Sequence, residues 1–162
     1  MIFVHSGAKT NEGWLHLVMQ EISITSEEQA AVAILFASVM AGGNSLNQSQ
    51  IEQLSRMLVL SSRFKSSSLN DLTVQALSLQ SQFGSRAVIE KSAPLIDPDF
   101  GETLFAMCCE LVTADGKVDE HESEVLAMIA LYLGMKMESM KMILSAFLIR
   151  NRWNVQIIEN QE

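Results

Sequence analysis

A chain of 162 residues with 48% hydrophobic side chains and a mean hydropathy of +0.19 can bury one real core, which excludes a disordered segment. Two prolines and eight glycines, against an abundance of Ala, Leu, Met, Ser, Glu and Gln, favour helices. A net charge of −8 argues against binding to a nucleic-acid backbone.

The N-terminal Met1-Ile2-Phe3-Val4-His5 shows neither the basic region nor the cleavage site of a signal peptide. Thr10-Asn11-Glu12 then starts a first predicted helix, with Trp14, Leu15, Val18, Met19 and Ile22 at helical spacing. A second helix opens at Thr25-Ser26-Glu27-Glu28, where Ser26 and Gln29 have the spacing of a capping box. It runs to about Ala41 and is apolar on nearly every side, so it should be central. Its longest apolar run, the 12 residues from Ala30 to Ala41, falls short of the roughly 20 that a membrane span requires.

Gly42-Gly43-Asn44-Ser45 breaks that helix. A third extends from about Gln48 to Arg63, with Ile51, Leu54, Met57 and Leu58 on one face. Asn70 or Asp71 starts a fourth, which Gly84 ends, and Ser85 is the candidate cap of a short fifth helix stopped by Pro94. Asp97-Pro98-Asp99 is an N-cap with proline at the first helical position. The sixth helix carries the stripe Phe100, Leu104, Phe105, Cys108, Leu111 and Val112. The seventh bears Val125, Leu126, Ile129, Tyr132 and Leu133, with Gly134 at its end, and the eighth Met137, Met140, Ile143, Leu144, Phe147 and Leu148. From Asn151 the tail follows no pattern, and Trp153 is expected to pack. No segment alternates as a strand does. The expected fold is all-α, a single-domain bundle of about seven or eight helices over residues 1–162.

Sliding the chain by 72 residues lays Gly43–Gln50 on Asp115–Glu122, Glu52 on Glu124 and Leu54 on Leu126. An apolar helix precedes each turn and an amphipathic one follows. Two related helical hairpins, about 26–63 and 98–134, are therefore expected to face each other as an internal pseudo-repeat. The first copy holds Gly43, Asn47 and Gln50 where the second holds Asp115, Asp119 and Glu122.

The charge is not spread evenly. Residues 97–124 contain nine acids and a single base, Lys117, which accounts for the net charge almost by themselves. Such a block is a solvated face, a cation site or a docking surface for a basic partner. At its centre lies Ala114-Asp115-Gly116-Lys117-Val118-Asp119-Glu120-His121-Glu122. Gly116, Val118, Asp119 and Glu122 fall at the sixth, eighth, ninth and twelfth positions of a calcium-binding EF-hand loop. Leu111 and Thr113 occupy the first and third, where that loop needs Asp or Asn, so only half of it is present. The spacing points to a weak divalent-cation site at Asp115, Asp119 and Glu122, with Ca²⁺ favoured over Mg²⁺, Mn²⁺ or Zn²⁺. A structural account runs alongside: Asp119 caps the following helix and Glu122 completes a capping box.

Flanked by an apolar helix before and by Leu126, Ile129 and Leu133-Gly134 after, this motif resembles the signature of the TerB-like tellurite-resistance family over roughly residues 26–150. The resemblance implies an all-α cytoplasmic protein linked to tellurite and other chemical stress. It also implies divalent-metal binding through acidic residues in both halves. Here only the second half keeps them.

Other candidates are weaker. Adjacent Cys108 and Cys109 cannot readily bridge each other on a helix, which fits a reduced, cytoplasmic protein. Cys108 is on the apolar stripe and Cys109 is expected to be the more accessible, open to soft metals or a metalloid oxyanion. His121 sits among acids as a possible additional ligand, whereas His5 and His16 make no ligand spacing. Ten methionines fit adaptable core packing. No nucleophile elbow, phosphate loop, HExxH or CxxC occurs, so the expected function is non-enzymatic: a cation-binding stress protein or, without metal, a protein-interaction module whose acidic face docks a partner.

Overall fold

The computed structural model describes residues 23–41, 45–64 and 68–154. They form six α-helices and no strand: α1 Glu27–Val39, α2 Gln48–Leu60, α3 Leu69–Ser92, α4 Pro98–Val112, α5 Glu120–Tyr132 and α6 Met137–Asn151. A 3-10 turn, Ala93–Leu95, links α3 to α4. The first predicted helix lies outside the described residues, as do Gly42, Gly43 and Asn44 of the predicted helix break. The predicted fourth and fifth helices are the two parts of α3, which breaks at Gly84 (φ +77°, ψ 170°). Beside that break the Ser85 hydroxyl donates to the Ala37 carbonyl and accepts from Gln80 Nε2.

Helix α1 is the centre of the bundle. Every residue from Ala30 to Val39 is buried, because α3, α4 and α5 all pack on it. Alanines 30, 31, 33 and 37 let those neighbours approach closely, while Ile34, Leu35 and Phe36 fill the space between them. Ser26 caps its start, accepting from the Gln29 amide at 3.2 Å. The Gln29 side chain reaches back one residue further than a capping box requires, to the Thr25 amide. No helix among the described residues is long and apolar enough to cross a membrane.

A node of distant residues ties the bundle at one end. Glu27 accepts from Arg63 Nη1 at 2.6 Å and from the Asp97 amide at 2.8 Å. The Arg63 guanidinium also lies 4.8 Å over the Phe100 ring, and Phe64 meets that ring edge-on. The start of α1, the α2–α3 link and the start of α4 are thereby held together.

On α2, Leu54 and Leu58 are buried and Met57 partly so, whereas Ile51 from the same predicted face is exposed. Its N-terminus is closed by a full capping box. The Gln50 amide donates to Asn47 Oδ1 at 2.8 Å, and the Asn47 amide donates to Gln50 Oε1 at 3.1 Å.

Candidate functional site

The acidic turn begins where α4 stops. Asp97 caps that helix with Pro98 in its first turn, and the predicted stripe of Phe100, Leu104, Phe105, Cys108, Leu111 and Val112 is buried throughout. Thr113 ends it, its amide reaching the Cys109 carbonyl at 2.9 Å and its hydroxyl donating to the same oxygen at 2.6 Å. Leu111 and Thr113 are thus spent on the helix and the core, as the half-matched calcium loop implies.

Gly116 then reverses the chain at φ +80°. Its amide donates to the Thr113 carbonyl at 2.8 Å. The left-handed conformation alone favours glycine, and a second constraint is stricter: a Cβ here would sit 2.6 Å from the Asn151 carbonyl oxygen. The turn is pressed against the C-terminal end of α6. Asn151 and Asn154 complete the clamp. Asn151 Nδ2 donates to the Thr113 hydroxyl at 3.0 Å, and Asn154 Nδ2 donates both to the Ala114 carbonyl at 3.0 Å and to Asn151 Oδ1 at 3.1 Å. Behind the clamp is a cavity of about 370 Å³, with Gln53, Glu110, Phe147 and Arg150 in its lining.

The three predicted ligands all lie on this turn, each with a defined backbone partner. Asp115 Oδ1 accepts from the Lys117 amide at 3.0 Å. Asp119 Oδ1 accepts from the Glu122 amide at 2.8 Å, and Glu122 Oε1 accepts from the Asp119 amide at 3.1 Å, so the expected capping box on α5 is present. The box engages one oxygen of each carboxylate.

Electrostatically the pair divides. The Glu122 amide, chiefly, holds the exposed Asp119 carboxyl below its ordinary range, with smaller help from His121. Partial burial pushes the Glu122 carboxyl up, and the charges of Asp119 and Asp115 add to it. His121 is exposed beside them. Among the described residues no three His, Cys, Asp or Glu side chains are grouped so as to hold a metal ion directly. The donor set is all oxygen, of the kind a hard cation prefers.

Two expectations are corrected. Cys109 is no more accessible than Cys108: both are fully buried, because α1, α2, α5 and α6 all pack on α4. Burial pushes the Cys109 thiol up to about 12 and Cys108 higher still, leaving neither as a thiolate at neutral pH. Attack on a metalloid oxyanion is therefore not supported. Trp153 does not pack; it is 87% exposed, because the chain turns just past α6, the Asn154 amide returning to the Asn151 carbonyl at 2.9 Å. No periodicity in the sequence marks Asn151 and Asn154 as the clamp on this turn.

A model of the family described as "Tellurite resistance protein TerB" matches residues 29–144, a span that runs from the first turn of α1 through α5, with the acidic turn, into the first half of α6. No curated protein and no solved structure matches the chain.

Proposed function

The chain belongs to the TerB tellurite-resistance family, and from that premise we propose that it acts without catalysis, in the cytoplasm, in the response to tellurite and related chemical stress. Its acidic turn takes a divalent cation weakly through Asp115, Asp119 and Glu122. One observation carries this reading. The box at Asn47 and Gln50 closes with amides at 2.8 and 3.1 Å, the same distances that Asp119 and Glu122 give with carboxylates. Capping therefore does not require charge at this geometry. The acids of the second turn are surplus to it, and the charges of Asp119 and Asp115 add to the partial burial that raises Glu122. A cation offsets those charges; Ca²⁺ is favoured by spacing, with Mg²⁺, Mn²⁺ and Zn²⁺ as competitors.

The matched boxes, 72 residues apart, also support reading the two hairpins as related copies. The second copy alone kept its acids.

The test is calorimetry and thermal melts with each cation, on the wild type and on an Asp115→Asn/Asp119→Asn/Glu122→Gln variant. Millimolar Ca²⁺ should raise the wild-type melting temperature and leave the variant unmoved. Melts unchanged by all four ions would remove the site.

A second reading is favoured by the exposure of Asp97, Asp99, Glu102, Glu120 and Glu124 on the same segment. In it the acidic face docks a basic protein partner without metal. Capture of a partner by the wild type in the presence of a chelator, lost in the triple variant, would select this reading.

A further inference from the structure

Helix α6 is apolar on two opposite sides. Its inner side sets Met140, Ile143, Leu144 and Phe147 against the core, and Asn151 on the same side is buried in the clamp. A helix lying on a bundle should be polar on the reverse. Here the reverse carries Met142, 68% exposed, then exposed Ala146, then Ile149, 62% exposed, with Trp153 just past the helix end. Steps of four, three and four residues place them in one line along the axis, over about 16 Å. Singly exposed apolar residues are ordinary; an aligned row is not.

We propose that this row is the contact by which α6 pairs with α6 of a second copy, antiparallel about a two-fold axis at Ser145 and Ala146. Three features of the row are self-complementary. Under that axis Met142 meets Ile149 of the partner subunit, twice. The small Ser145 and Ala146 sit at the crossing point, where they allow the backbones to approach. Exposed Glu138, on one flank near the start of the helix, comes beside Arg152 of the partner subunit, again twice. A parallel pair would instead set Glu138 against its own copy and Arg152 likewise. An anionic lipid surface fits less well, because the same helix end is clamped to the nine-acid segment through Asn154 and Ala114. One helix face is small for an interface, so the dimer should be weak and dependent on concentration.

Sedimentation velocity on the full chain, from about 10 µM to 1 mM, tests the pairing. A reversible monomer–dimer equilibrium is expected. Met142→Glu and Ile149→Glu should each weaken it at least about tenfold; both sites are exposed, so the thermal melt should hold. Glu138→Arg should weaken it, and Glu138→Arg with Arg152→Glu should restore it, which a contact elsewhere would not reproduce. Ala146→Cys should give a disulfide-linked dimer on mild oxidation, the two native thiols being buried. A full chain that stays monomeric overturns the proposal, whether its own termini or another protein covers the row. So does a dimer indifferent to Met142→Glu, or one that the double charge reversal fails to restore.

Discussion

The two capped turns are one device built twice, with amides at Asn47 and Gln50 and with carboxylates at Asp119 and Glu122. The hydrogen bonds agree in length and in the atoms that make them. What differs is everything around the box. The second turn is loaded with acids from Asp115 to Glu124, and it is locked to α6 by Gly116, Asn151 and Asn154. A helix N-terminus welcomes negative charge to a modest degree, about 0.3–1 kcal/mol for a carboxylate at the surface. It does not call for three that repel one another. The comparison separates what the fold needs, which amides supply, from what it carries in excess.

Breaking the lock is the strongest way to test that separation. Gly116→Ala should destabilise the protein by about 3 kcal/mol, combining left-handed strain with a forced shift of α6 backbone. Gly134 is the control: it has φ +71° but nothing within 4 Å of the added Cβ, so Gly134→Ala should cost only about 1 kcal/mol. Urea denaturation read by circular dichroism measures both, and equal losses would mean that the approach of Asn151 is not a constraint. Asn151→Ala follows at about 2 kcal/mol, since it strips a partner from the buried Thr113 hydroxyl and from Asn154.

How much of this could be read from the chain depends on distance in sequence. The apolar stripe of α4, the encirclement of α1 and the box at Asp119 and Glu122 rest on spacings of a few residues, and each was legible; the box at Asn47 and Gln50 has the same spacing but amides in place of acids, and it did not stand out. The node at Glu27 was not, because its partners lie 36 and 70 positions away and no local pattern announces them. The same limit hid the need for glycine at 116. Its turn conformation was readable, but the carbonyl that forbids a Cβ belongs to Asn151. Cys109 misled for a related reason. Periodicity gives one buried face per helix, and α4 is covered on more than one side.

Closer to the box itself, Asn47→Ala should cost about 1 kcal/mol, the usual loss of a side-chain cap. Thermal or urea unfolding near neutral pH checks it, and the loss should not change with pH, because the box it breaks has no titrating member.

The smallest effect is also the sharpest test of the comparison, since it converts the second box to the chemistry of the first. Asp119→Asn/Glu122→Gln keeps both hydrogen bonds and removes both charges. In the wild type the two carboxyls act with opposite sign. Asp119 is held below its ordinary value in the folded state, so its stabilisation is present above that value and fades as pH falls through the lowered one. Glu122 is held above its ordinary value, so its ionised form disfavours the fold, and stability is regained as pH falls through the raised value. Acidifying from neutral should therefore first strengthen the wild type and then weaken it, whereas the amide variant should lose both features. Glu122 is partly exposed, so its share is under about 1 kcal/mol after screening by solvent. Urea midpoints from about pH 7 down to pH 3 would show it. A variant that traces the wild-type curve would mean that folding shifts neither carboxyl, and the case for a cation at the turn would lose its footing.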